Sequence, residues 1–124
     1  MSPLEAVKAL IVEDEFLIAT DLESMLRKLG ASEVRIELSI DSALAGLRER
    51  LPDCAVLDIG LREETPEKIA DLLLEQHVPF IFVTGYDDAL PLPTRLRTMP
   101  LVRKPVNAVD LEEALVRAFA LARG

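Results

Sequence analysis

Tryptophan is absent from this 124-residue chain, and aromatic residues make up only 4% of it. Its core must therefore be aliphatic, built from Leu, Ile, Val and Ala. Cys54 is the single cysteine, which excludes an intrachain disulfide; it lies inside an apolar run and reads as a buried structural thiol. His77 is the only histidine. It falls near the end of the third predicted helix, away from the polar cluster identified below, and reads as a surface residue, not a phosphodonor. No apolar stretch approaches membrane-spanning length, and the N-terminus lacks a basic segment followed by an apolar one. The expectation is a soluble, cytoplasmic protein. Basic residues are also scarce: 14 against 22 acidic ones, a net charge of -8. A polyanion gains nothing from such a surface, so direct nucleic-acid binding is disfavoured. No Gly-rich phosphate loop follows the first strand, which argues against nucleotide binding. No repeat, low-complexity tract or linker is visible, and residues 1–124 read as one domain.

Half of the residues are apolar, and they fall into two alternating kinds of segment. Short β-rich runs occupy Val7–Val12, Cys54–Leu57, Phe80–Val83 and the region of Leu101–Val102. In Val34–Leu38 apolar and charged residues alternate, as in a strand at a sheet edge with one face wetter than the other. Between them lie helical stripes. Phe16, Ile18, Leu22, Met25, Leu26 and Leu29 form one, ended by Gly30. Ala43, Leu44, Leu47 and Leu51 form a second, stopped before Pro52. A third opens at Thr65-Pro66, as N-cap and first helical residue, and continues through Ile69, Leu72 and Leu73. The last starts near Asn107, with Asp110 three residues on, and carries Leu111, Ala114, Leu115, Ala118, Phe119 and Ala122. Strands alternating with helices imply parallel βαβ units with right-handed crossovers, hence an α/β fold around a parallel sheet. A fourth helix is due over Asp87–Arg97, but Pro91 and Pro93 break helical hydrogen bonding there. The expectation is a loop, or at most one helical turn after Pro93.

In an open parallel sheet, ligands bind beyond the carboxyl ends of the strands. Four apolar runs end there in polar residues: Glu13-Asp14 after the first, Asp58 after the third, Thr84 after the fourth, Lys104 after the fifth. These side chains should converge. Carboxylates so close repel one another and acquire raised pKa values unless a cation joins them. Mg²⁺ suits such oxygen ligands, since it takes one or two carboxylates, waters and phosphate oxygens. Lys104 and Thr84 could offset charge on, and donate a hydrogen bond to, a transferred phosphoryl group. Asp58 would be the nucleophile, giving an aspartyl phosphate. Taken singly, each residue has an ordinary explanation: a turn-forming Asp, acidic residues favouring a helix N-terminus, a solvated Lys. Their coincidence at four strand ends is what carries the functional reading.

The set resembles the receiver domain of response regulators, over essentially the whole chain: Glu13-Asp14, Asp58 in Leu57-Asp58-Ile59-Gly60-Leu61, Thr84, and Lys104-Pro105. The resemblance implies a flavodoxin-like, doubly wound five-stranded sheet of order 2-1-3-4-5. It implies Mg²⁺ held by Glu13, Asp14, Asp58 and the backbone carbonyl of Gly60, and a cis Lys104-Pro105 peptide bond. It also implies phosphorylation of Asp58 by a histidine kinase, self-catalysed phosphorylation and dephosphorylation rather than enzyme activity on another substrate, and signalling by protein contact. The expected contact face is the Asp87–Met99 segment, the fifth strand and the last helix. Receivers usually carry an aromatic switch residue three positions before the lysine, and here Leu101 stands there. The segment Pro79–Tyr86 instead resembles the Phe-Ala-Thr-Gly-Tyr receivers of alphaproteobacteria, known for a shortened or missing fourth helix. Those are often stand-alone or paired with kinases of the HWE type. By that resemblance the switch residues are Thr84, Tyr86 and Leu101, although Tyr86 reads equally well as a half-buried packing residue. A monomer or weak dimer is expected. Three rivals stand beside this reading. One is an interaction module with a receiver fold that is never phosphorylated. Another is a phosphate sink for a kinase. The third, an Mg²⁺-dependent phosphohydrolase, needs a proton-transferring carboxylate where Gly60 stands.

Overall fold

The computed structural model describes residues 2–60, 66–85 and 92–123. Five strands form one parallel sheet: β1 (Lys8–Val12), β2 (Glu33–Glu37), β3 (Cys54–Asp58), β4 (Phe80–Thr84) and β5 (Leu101–Arg103). Their order is β2-β1-β3-β4-β5, as the family resemblance implied. The helices are α1 (Phe16–Lys28), α2 (Ile40–Glu49), α3 (Glu67–Glu75) and α4 (Ala108–Arg123).

Alternation along the central strands divides the core in two. Ala9, Ile11, Val56, Ile81 and Val83 face one layer, where they join Leu22 and Leu26 of α1 and Leu111 and Leu115 of α4. Leu10, Val12, Ala55, Leu57, Phe80 and Phe82 face the other, with Leu47 of α2 and Ile69 and Leu73 of α3. β2 lies at an edge, and all five of its residues are half-buried, in keeping with the charged-apolar alternation read there. Gly30 takes a positive φ of 118° just beyond α1. The amide of Ala31 donates to the Leu26 carbonyl at 3.0 Å and that of Gly30 to Arg27 at 3.1 Å, closing the helix end. A Cβ at Gly30 would come within 3.0 Å of Glu5 Cα, so the residue also permits a close chain approach. At the start of α4, Asn107 Oδ1 accepts from the Asp110 amide at 2.8 Å.

The stripes depart from expectation at three places. Phe16 is 60% exposed and belongs to no core layer. It stands around the helix from the buried positions Ala19, Leu22 and Leu26. Leu51 is exposed as well, because α2 ends at Glu49 and its continuation leaves the helical stripe. In α3 the cap position falls to Pro66 and the helix begins at Glu67; Thr65 lies outside the described residues. Among the described residues between β4 and β5, a 3₁₀ turn at Thr94–Leu96 follows Pro93, as expected from that proline; residues 86–91, with Pro91, lie outside them. Leu96 of the turn, together with Leu92, is buried against the α2–α3 layer.

Cys54 is fully buried, and burial, with the charge of Asp53 adding to it, pushes its thiol up to about 12. An unfolded thiol ionises at about 8.5. The raised value contributes stability that is complete below that pH and is lost as pH climbs towards the folded value. The expected loss is about 3 kcal/mol by pH ~11. Urea melts at pH 8 and at pH 11 check this: Cys54→Ala should show a markedly smaller alkaline loss than wild type.

Candidate functional site

The strand register places the polar ends side by side. Val12 pairs with Leu57, Asp58 with Val83 and Thr84 with Arg103, so Glu13, Asp58, Thr84 and Lys104 emerge on neighbouring strands at one rim. Backbone bonds hold their bases. Glu13 N–H donates to the Glu37 carbonyl at 3.1 Å, Ile59 N–H to Val83 at 3.0 Å, and Lys104 N–H to Thr84 at 2.8 Å. The side chains are thus aimed by the sheet and not by a flexible loop, which is how a site becomes preorganised.

Glu13, Asp14 and Asp58 each bring a carboxylate oxygen to within 4.8 Å of the others. Glu13 and Asp58 are buried. Lys104 Nζ lies 2.8 Å from Glu13 Oε1 and 3.3 Å from Asp58 Oδ1. Glu13 Oε2 accepts from the Glu15 amide at 3.1 Å, and Asp58 Oδ1 from the Gly60 amide at 3.1 Å. Glu13 Oε1 contacts Lys104 by distance but receives no well-aligned hydrogen bond. It is therefore a buried carboxylate oxygen with coordinating capacity left over. Thr84 is fully buried, and the Lys104-Pro105 peptide bond is cis.

Charge in this cluster is finely balanced. Burial pushes the Glu13 carboxyl up to about 7, with Asp58 adding to the rise while Lys104 and the Glu15 amide oppose it. Burial pulls the Lys104 ammonium down, but Glu13 and Asp58 outweigh it and hold the ammonium above its ordinary value. One ammonium facing two buried carboxylates leaves net negative charge, and the three carboxylates are hard oxygen donors. Mg²⁺ takes hard carboxylate oxygens, and the three carboxylates would supply them within one small space. The residues fit a divalent cation.

The expected site residues thus separate. Glu13, Asp14, Asp58 and Lys104 are brought together, and Thr84 ends the strand between Asp58 and Lys104. Gly60 touches Asp58 through its amide. Tyr86 lies outside the described residues. Leu101 begins the edge strand β5, 39% exposed, and pairs with Phe82. Two features had no clear signal in the sequence. Phe16 and Leu17 are exposed at the start of α1, directly after the acidic pair. A cleft of about 340 Å³ opens beside Lys104, between Ile18, Asp21 and Met25 of α1 and Pro105 and Val106.

Residues 9–116 match the family model described as the response regulator receiver domain. The phyllosphere-induced regulator PhyR of Methylorubrum extorquens is 29% identical over 117 residues, which cover 92% of this chain and 44% of that protein. The solution structure of SdrG from Sphingomonas melonis is 36% identical, with a TM-score of 0.81 and coverage of 97% of this chain and 99% of that one. A Bartonella quintana PhyR mutant structure, titled an anti-anti-sigma factor, is 28% identical with a TM-score of 0.76, covering 95% of this chain and 50% of that one. The chain therefore spans about half the length of its PhyR relatives. These relatives support the subclass resemblance drawn from the Pro79–Tyr86 segment.

Proposed function

The chain belongs to the response regulator receiver domain family, and from that premise we propose that it accepts a phosphoryl group from a histidine kinase onto Asp58 in an Mg²⁺-dependent reaction. The observation that carries the reading is the seat of Asp58: a buried strand-end carboxylate held 3.3 Å from the Lys104 ammonium and beside two further carboxylates. An Asp58 oxygen attacks phosphorus, a phosphorus–oxygen bond forms, and the phosphorus–nitrogen bond to the donor imidazole breaks. Glu13, Asp14, Asp58 and the Gly60 carbonyl would hold Mg²⁺, which supplies positive charge to the phosphoryl oxygens when bound. Lys104 sits ready to exchange its Glu13 and Asp58 contacts for a phosphoryl oxygen, and the Thr84 hydroxyl donates to another.

The donor has to meet this rim, and Phe16 and Leu17 offer it an apolar foothold beside the acidic pair. Output follows from a two-state shift: a phosphoryl group rewards inward movement of Thr84, and the segment between β4 and β5 repacks. The contact face would comprise that segment, β5 and α4. The Bartonella relative is titled an anti-anti-sigma factor; from it this reading takes only phosphorylation-dependent contact with another protein. Beryllofluoride with Mg²⁺, a phosphoryl mimic, should shift the amide NMR signals of Thr84, Gly85 and Lys104 and of residues 92–99. Shifts confined to Glu13, Asp14 and Asp58 would refute the switch.

A further inference from the structure

Residues 92–99, which precede β5, carry a second charged cluster that joins them to α3. Arg95, in the 3₁₀ turn, clasps Asp71 of α3 with both ends of its guanidinium, Nε to Oδ1 at 3.2 Å and Nη2 to Oδ2 at 2.7 Å. The same Nη2 donates to Glu67 Oε1 at 3.0 Å. A fork-to-fork pair reinforced by a second carboxylate is directional in a way that a lone lysine contact is not. The turn is knit in two further ways. Arg97 Nε donates to the Leu92 carbonyl at 3.0 Å, and Leu92 and Leu96 are buried in the same apolar layer as Ile69 and Ala70 of α3. Pro93 bars a helix from running through its position, and the turn after it is only three residues long, so these residues have few helical hydrogen bonds of their own. Leu92, Leu96 and the Arg95 guanidinium tie them to the α2–α3 layer.

We propose that the Arg95–Asp71–Glu67 cluster is an ionic latch that holds residues 92–99 against α3 while Asp58 is an unphosphorylated carboxylate paired to Lys104, and that the phosphoryl-driven shift opens it. This rests on the phosphoacceptor reading and specifies its regulation. The leucines supply nondirectional burial and tolerate sliding; the bidentate pair does not, so it sets which position is preferred. All three side chains are about half exposed, at 52%, 41% and 45% for Arg95, Glu67 and Asp71. Such pairs are individually weak and screened by salt, which suits a latch that must open. A contact present in one state and lost in the other biases the equilibrium by its own strength, and linkage returns that bias as phosphoryl affinity.

Beryllofluoride titrations in Mg²⁺, read by the Gly85 amide shift, test it. Arg95→Met should bind about threefold more tightly than wild type, and Asp71→Asn/Glu67→Gln should match it. The charge swap Arg95→Asp/Asp71→Arg should return towards wild type. Raising salt to about 1 M should tighten wild type but not Arg95→Met. Equal or weaker binding by the variants, each first shown by its melt to be folded, overturns the latch alone. Failure of wild type to bind beryllofluoride at all overturns the phosphoacceptor reading and the latch with it.

Discussion

Incubated with acetyl phosphate and Mg²⁺, the wild-type chain should gain the mass of a single phosphoryl group, and Asp58→Ala should gain none. Three carboxylates meet at the rim, so the identity of the acceptor has to be argued. Glu13 is the poorest candidate. Its carboxyl is pushed up to about 7 by burial, and one of its oxygens is committed to the Glu15 amide. Asp14 lies just beyond β1 and is less buried than Glu13 or Asp58. Asp58 is the last residue of β3, the central strand, flanked by β1 and β4, with Lys104 on one oxygen. Removing a nucleophile that acts in concert with its neighbours costs most of the rate, so labelling should fall more than about 1,000-fold. Hydroxylamine should strip the label from wild type, as expected of an acyl phosphate. Equal labelling of wild type and Asp58→Ala would move the acceptor elsewhere on the chain.

The second large effect concerns the metal. A chelator in excess should stop labelling entirely, and Mg²⁺ alone should raise the melting temperature of the unlabelled protein. Mg²⁺ at ten times its dissociation constant contributes about 1.4 kcal/mol, worth about 5 °C for a domain of this size. The physical source is the unsatisfied negative charge: two buried carboxylates share one ammonium, and Glu13 Oε1 lacks an aligned donor. Glu13→Gln replaces the most heavily desolvated of those charges with a neutral amide. The variant should melt no lower than wild type without metal, because burial disfavours the charge at this position and the Lys104 ammonium keeps Asp58 as its partner. It should also lose most of the Mg²⁺-dependent rise. A Glu13→Gln protein that responds to Mg²⁺ as strongly as wild type would place the ion somewhere else.

How far the sequence could be read depended on the range of the interaction concerned. Strand and helix positions were legible from periodicity, and the doubling of the core into two layers follows from near-continuous apolar runs such as Phe80–Val83. The interrupted fourth helix was legible because proline acts on its own turn: Pro93 is followed by three residues of 3₁₀ helix. Phe16 falls outside the core because it stands around the helix from the buried positions Ala19, Leu22 and Leu26. Leu51 does so for a different reason: α2 ends at Glu49, so the helical stripe does not reach it.

By itself the sequence determined which chemical groups leave the sheet: Glu13-Asp14, Asp58, Thr84 and Lys104 each terminate an apolar run, and runs of that kind must end at a rim. Tertiary structure alone decided what those groups do to one another. The pairing of Lys104 with Glu13 as well as Asp58 was not written in any single segment. Nor was the desolvation that lifts the Glu13 carboxyl, or the reach of Arg95 back to α3. Apolar patterning acts between residues a few positions apart. Electrostatics acts through space and depends on how much water the neighbouring strands exclude, a quantity that exists only once the strands have come together.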